Sequence, residues 1–96
     1  MESRELEIGG RLFTGCRIGT QHAVILLISG RKGNLGCGYF SVETADRVGD
    51  RLAVVTGVGS FEEMLEAAVV KVSSAAAACG VVSGMRGREA LEAMER

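Results

Sequence analysis

Two arginines and two glycines stand close together near the end of the sequence, in the segment Gly84 to Glu89, which reads Gly-Met-Arg-Gly-Arg-Glu. The apolar spacing that follows predicts a final helix whose first turn falls here. A helix N-terminus carries partial positive charge and unpaired N–H groups, so arginines are unfavourable there unless an anion or an acidic partner joins them. We therefore expect backbone N–H groups and the Arg88 guanidinium to hold a carboxylate or phosphate. The candidate ligand-binding residues of this turn are Gly84, Gly87, Arg88 and Arg86.

A structural interpretation of the same turn stays open. The two glycines allow a tight entry into the helix, and Arg88 then forms an ion pair with Glu92, one helical turn further on, or with Asp50. A contact between two copies of the chain is a further alternative for this surface.

A second candidate site surrounds Cys37, which lies between Gly36 and Gly38 on a predicted strand. The glycines leave the thiol unshielded and let a ligand approach the backbone, so Gly38 is a candidate ligand-binding residue. Cys37 is the candidate catalytic residue of a thiol-dependent enzyme, with His22 or a carboxylate as its base, or Arg88 as a positive neighbour. The alternative is that Cys37 is a small buried core residue.

The turn from Gly57 to Ser60 follows a predicted strand and opens a helix, as phosphate-binding loops do. It lacks the third glycine and the lysine of the common motifs, and Glu62 and Glu63 already bring carboxylates to that helix end. We therefore predict a plain helix start, capped by Ser60 and Glu63 in a capping box.

Composition excludes several classes of protein. The 96 residues are 47% hydrophobic and lack proline, which predicts one globular domain over residues 1–96. A net charge of −1 with dispersed aromatics argues against nucleic acid. The longest apolar run is too short to cross a bilayer and the acidic start is unlike a signal peptide, so we expect no membrane association and a cytoplasmic location. Three cysteines without paired spacing and a single histidine predict free thiols, no metal site and no cofactor.

The predicted fold is α+β. Gly9 and Gly10 close a first hairpin, and the turn from Gly30 to Asn34 closes a second, which makes four antiparallel strands. A short helix, a buried fifth strand at 51–56 and three helices follow, including a helical piece that carries Val69 to Cys79. We therefore expect a single layer of about five mostly antiparallel strands, with the helices packed mainly on one face.

From Gly36 onward the sequence resembles the YunC-like family of small bacterial and archaeal proteins, a domain of unknown function. The strings Gly-Cys-Gly-Tyr, Gly-Val-Gly-Ser-Phe-Glu-Glu-Met-Leu and Gly-Met-Arg-Gly-Arg-Glu-Ala-Leu carry the resemblance. It implies one compact α+β domain and no assigned activity. Arg86 departs from the family pattern, which more often has Ser or Thr there, so Arg88 is the more important arginine. The signature positions are Cys37, Gly38, Gly57, Gly84, Gly87, Arg88 and Glu89.

Three functions remain open. The first is a non-catalytic or regulatory module that binds a small anionic metabolite or a protein partner near the Gly84 to Arg88 turn. The second is a thiol-dependent enzyme that uses Cys37. The third is a homo-oligomeric structural or assembly protein, whose helical face of alanines, Val69, Val72 and Ala76 packs against a second copy.

Overall fold

In the computed structural model, which describes residues 1–96, six strands form one sheet and four helices pack against it. The spatial order of the strands follows the chain from β1 to β6. In chain order the elements are β1 (Glu2–Ile8), β2 (Arg11–Gly19), β3 (Val24–Ser29), β4 (Gly33–Gly36), α1 (Val42–Val48), β5 (Arg51–Val54), α2 (Phe61–Glu66), β6 (Lys71–Val72), α3 (Ser74–Ala77) and α4 (Gly87–Met94).

The first four strands form the two predicted hairpins, and each strand runs antiparallel to the next. Gly9 and Gly10 have φ angles of 59° and 82°, which close the tight turn between β1 and β2. The second turn is shorter than expected, since β4 begins at Gly33 and ends at Gly36. Cys37 and Gly38 therefore lie in the loop after β4, and the prediction that they belong to the strand is wrong.

Strand β5 pairs parallel to β4, and the helix α1 forms the crossover between them. Ser41 caps α1 by accepting a hydrogen bond from the Thr44 N–H at 3.2 Å, and Gly49 ends the helix in the left-handed conformation. Because the two strands are parallel, their carboxyl ends reach the same edge of the sheet. The loops at residues 37–40 and 55–58 are thereby brought side by side.

The region predicted as a helix from Val69 to Cys79 is instead extended at its start. Residues Lys71–Val72 form β6, a sixth strand that pairs with β5, and only Ser74–Ala77 is helical. The β-branched valines favour the extended backbone. The buried Ser73 hydroxyl then caps α3 through the Ala76 N–H, accepts a hydrogen bond from Leu52 N–H and donates one to the Asp50 carbonyl.

The main core lies between the sheet and the helices α2 and α4. Ala53 and Val55 of the β5 region face this core, whereas Leu52 and Val54 pack with Ala45 of α1 on the opposite face. The helices are thus mainly, but not all, on one face. Val69 and Ala76 are buried in the main core, so the expected self-association surface built on them is wrong.

Candidate functional site

The two loops that follow β4 and β5 meet around a small cavity. The Val55 N–H donates to the Gly36 carbonyl at 2.9 Å, which carries the parallel pairing just beyond the strands. A cavity of about 270 Å³ opens there. Ligands of open sheets with parallel strands commonly bind beyond the carboxyl ends of those strands. The residues that line this cavity are Val24, Cys37, Gly38, Tyr39, Gly57 and Val58.

Backbone N–H groups around this cavity lack acceptors within the chain. Those of Gly38 and Tyr39 in one loop, and of Thr56, Gly57 and Val58 in the other, make no hydrogen bond to protein. Four of these five residues line the cavity. Backbone N–H groups carry positive partial charge, and these five belong to exposed or half-buried loop residues, so they are accessible to solvent and to a ligand oxygen.

Glycine provides the room in both loops. Gly57 has a φ angle of 72°, a conformation that side chains other than glycine rarely adopt. At Gly38, an added Cβ would meet only the Thr56 methyl carbon, at 3.6 Å. The backbone of both loops is therefore open to close approach, as the sequence predicted for Gly38.

The Cys37 thiol lies at the inner wall of the cavity and is 5% exposed. Its Sγ accepts a hydrogen bond from the Leu26 N–H at 3.3 Å. The cavity lining contains no acidic, basic or histidine side chain. His22, the predicted base, is exposed in the turn before β3 and does not line the cavity.

Tyr39 forms the rim of the cavity and is 56% exposed. Its hydroxyl lies 3.3 Å from Thr20 Oγ1, which also accepts a hydrogen bond from the Ala23 N–H at 2.9 Å. The turn between β2 and β3 thus holds the rim in place.

The Gly84 to Arg88 turn lies elsewhere and is built into the fold. Gly84 N–H donates to the Val69 carbonyl at 2.8 Å, and Gly87 N–H donates to the Ala67 carbonyl at 2.9 Å. A Cβ at Gly87 would collide with the backbone carbonyl oxygen of Met64. Gly84 has a φ angle of 98°, which favours glycine, so both glycines suit the place where this turn packs against the end of α2.

The two arginines share one acidic partner, Glu66, the last residue of α2. Arg88 donates from Nε and Nη2 to Glu66 Oε2 at 3.1 and 2.8 Å, and Arg86 Nη1 lies 3.6 Å from Oε1. The hydrogen bonds from Arg88 hold the pKa of the Glu66 carboxyl below its usual value. The partner expected from the sequence, Glu92 or Asp50, is wrong.

The Glu89 carboxylate completes the start of α4 by accepting a hydrogen bond from the Arg86 backbone N–H at 2.8 Å. No cavity of the molecule is lined by both Arg88 and Cys37. The two candidate sites predicted from the sequence are therefore separate places, and only Cys37 and Gly38 belong to a cavity.

The sequence predicts a plain helix start, and not a ligand site, for the loop with Gly57 and Val58 that completes this cavity. The prediction of a capped helix is confirmed, since Ser60 Oγ accepts from the Glu63 N–H at 3.1 Å and the Glu63 carboxylate accepts from the Gly59 N–H at 2.6 Å. The free donors precede that cap. The sequence feature that points to this loop is a glycine directly after a buried strand. The parallel pairing of β4 and β5, which brings this glycine to the cavity, cannot be deduced from the sequence.

These features define an α+β domain with a mixed six-stranded sheet and a cavity beyond its parallel strand pair. The chain belongs to the family described as Domain of unknown function (DUF1805), whose model matches residues 36–94. A domain of unknown function was the expectation from the sequence, and the match begins at Gly36, where the resemblance was seen. The narrower YunC-like assignment stays a prediction.

The structure is similar to a crystal structure of a protein of unknown function, TA1206, from Thermoplasma acidophilum. The two chains are 33% identical with a TM-score of 0.92, and the likeness covers 97% of this chain and 91% of that chain. It therefore includes the first two hairpins, which the family model does not match. No curated protein matches the sequence.

None of the helices of this protein is both long enough and apolar enough to cross a bilayer. No three side chains among His, Cys, Asp and Glu are grouped so that they could share a metal ion.

Proposed function

We propose that the protein is a non-catalytic binding module for a small anionic ligand, and that the ligand occupies the cavity between the loops after β4 and β5. The observation that carries the proposal is the set of backbone N–H groups without acceptors at Gly38, Tyr39, Gly57 and Val58. Such donors bind oxygen atoms of either a carboxylate or a carbonyl group.

Charge and size narrow the class of ligand. No basic side chain lines the cavity, and the nearby Glu63 carboxylate disfavours a dianion such as phosphate. The Val24 and Val58 side chains favour a short apolar substituent. The ligand class we infer is therefore a small monocarboxylate with a compact apolar tail.

The Gly84 to Arg88 turn is a weaker candidate for anion binding. Each guanidinium already faces Glu66, so an anion would compete with an internal carboxylate. Ligand contacts by Gly84, Gly87, Arg86 and Arg88 stay a prediction, as do self-association and a cytoplasmic location.

A thiol-dependent enzyme is the second candidate, because Cys37 lines the same cavity as the free N–H groups. Those donors would serve as an oxyanion hole for attack on a carbonyl carbon. The thiol lacks an activating base or cation in the lining, which places this function after binding. Alkylation at neutral pH that modifies Cys37 faster than Cys16 and Cys79 would reverse that order.

The test is a ¹H–¹⁵N titration of the protein with sodium isobutyrate at constant ionic strength. We expect saturable shifts of the Gly38, Tyr39, Gly57 and Val58 amides. Gly38→Val adds a branched side chain to a residue that lines the cavity and should weaken binding at least about tenfold, equivalent to about 1.4 kcal/mol. The matched control is Gly19→Val, because an added Cβ at Gly19 meets nothing within 4 Å.

The proposal fails if about 100 mM isobutyrate, well above the Kd of a weak small-molecule site, moves none of these amides. It also fails if Gly38→Val binds as the parent does. If Gly38→Val does not fold, Gly38→Ala replaces it in the titration, since a Cβ at Gly38 makes only an ordinary van der Waals contact with Thr56.

A further inference from the structure

A second group of backbone donors lies at the opposite end of β4, in the turn between β3 and β4. The N–H groups of Arg31, Lys32 and Gly33 donate to the Glu95 carboxylate at 3.1, 2.9 and 3.1 Å. Successive N–H groups that converge on one anion form a backbone nest, which is a recurrent phosphate- and carboxylate-binding arrangement. Glu95 is thus an anion held by this turn.

Glycine lets the turn wrap around that carboxylate. A Cβ at Gly30 would come within 2.5 Å of Glu95 Oε2, and one at Gly33 would press on the Met94 side chain at 2.6 Å. The added Cβ at Gly30 would also lie 2.8 Å from the Phe13 ring. The concavity therefore depends on residues that have no side chain.

Basic side chains surround this nest. A cavity of about 580 Å³ is lined by Arg11, Arg31 and Lys32 together with Leu12 and Glu95. None of the three cationic groups forms a salt bridge, and all three residues are exposed. The Lys32 ammonium donates a hydrogen bond to the Arg96 main-chain oxygen at 3.5 Å. The residues that line this cavity carry three positive charges and one negative charge, that of Glu95, so the net charge of the lining is positive.

We propose that this nest is a binding site for a phosphate-class oxyanion, and that Glu95 occupies it as an internal substitute. Displacement of Glu95 exposes the three N–H donors, while the Arg31, Lys32 and Arg11 side chains neutralise the dianion. The site is independent of the proposed monocarboxylate cavity, because the two share no residue.

The internal carboxylate lowers the apparent affinity for an external anion. Only the fraction of molecules in which Glu95 has left the nest can bind, and the apparent Kd rises as that fraction falls. Removal of the Glu95 charge should therefore strengthen anion binding, the opposite of what the loss of a direct ligand contact does.

The experiment is a ¹H–¹⁵N titration with inorganic phosphate at pH 7.5, with sodium chloride holding the ionic strength constant. In Glu95→Gln we expect saturable shifts of the Arg31, Lys32 and Gly33 amides, with a Kd at least about tenfold lower than in the parent protein. Adding Arg31→Gln and Lys32→Gln should raise the Kd again. The matched control is Glu2→Gln, which removes one carboxylate from an exposed residue of β1 that lines no cavity, and it should behave as the parent.

Two results would overturn the proposal. One is the absence of saturable shifts at these three amides in Glu95→Gln; the other is equal affinity with and without the Arg31 and Lys32 charges. If Glu95→Gln does not fold, Glu95→Asp keeps the charge but shortens the reach, and it should still bind phosphate more tightly than the parent does. Phosphate and isobutyrate report on different amides, so failure here is distinguishable from failure of the proposed function.

Discussion

The turn at Gly84 to Arg88 and the loops after β4 and β5 are both rich in glycine, but the N–H groups of their glycines differ in hydrogen bonding. In the first, Gly84 and Gly87 donate their N–H groups to carbonyls, and both arginines face Glu66. In the second, the N–H groups of Gly38 and Gly57 have no acceptor in the chain. A glycine in a signature motif therefore indicates close packing in one place and open access in the other.

The largest expected effect tests whether the turn at Gly84 to Arg88 is closely packed. Gly87→Ala puts a Cβ against the Met64 carbonyl oxygen, and because backbone cannot move aside cheaply we expect a loss of about 3 kcal/mol or more in the free energy of unfolding. Urea denaturation measures it. Gly19→Ala is the control and should stay within about 0.5 kcal/mol of the parent. Equal stability of the two variants would mean that α4 does not pack on α2 as described.

A smaller loss of stability is expected for glycine substitutions in the loops after β4 and β5. Gly57→Ala must adopt a φ angle of 72°, which we expect to cost about 1–2 kcal/mol. Gly38→Ala lacks this strain and has room for its methyl group, so it should change stability by less than about 0.5 kcal/mol. The same denaturation experiment compares them. If Gly38→Ala proves the more harmful, the loop after β4 is closed rather than open.

The smallest effect concerns the ion pair that occupies the arginines. Arg88→Ala should lower Tm by at most a few degrees at pH 7, because the pair is exposed. Since Arg88 depresses the pKa of Glu66, the pair contributes stability above the usual carboxyl pKa of 4.5 and loses it as pH falls through the lowered value.

The difference in Tm between Arg88→Ala and the parent should therefore shrink below pH 4.5. Thermal melts from pH 7 to about 2.5 follow it, in the range where acid protonates paired carboxylates. A difference that persists at the acid end would assign the effect of Arg88 to packing of its side chain.

Local patterns sufficed for the parts of the fold that depend on neighbouring residues. The Gly9-Gly10 hairpin and the Ser41 and Ser60 caps were predicted because each is a contact within a few positions along the chain. The extended segment at Lys71–Val72 was missed, since its apolar spacing also fits a helix and only pairing with β5 decides between them.

The candidate site likewise combines residues that the sequence predicts with residues that only the fold brings together. Cys37 and Gly38 were identified from their own sequence context, and they do line a cavity. The contribution of Gly57 and Val58 depends on the parallel register of β4 and β5, where Gly36 lies beside Val54. The Glu66 partner of Arg88 likewise lies 22 positions away along the chain, a distance at which spacing carries no information.

The two edges of the sheet also affect how the protein meets other chains. At one end β6 offers only the two residues Lys71–Val72, too few to template a partner strand. At the other end β1 is seven residues long but carries exposed charges at Glu2, Arg4, Glu5 and Glu7. Charged and very short edge strands discourage strand addition, and with it amyloid-like growth. The sheet is thereby protected against edge-to-edge aggregation without being closed into a barrel.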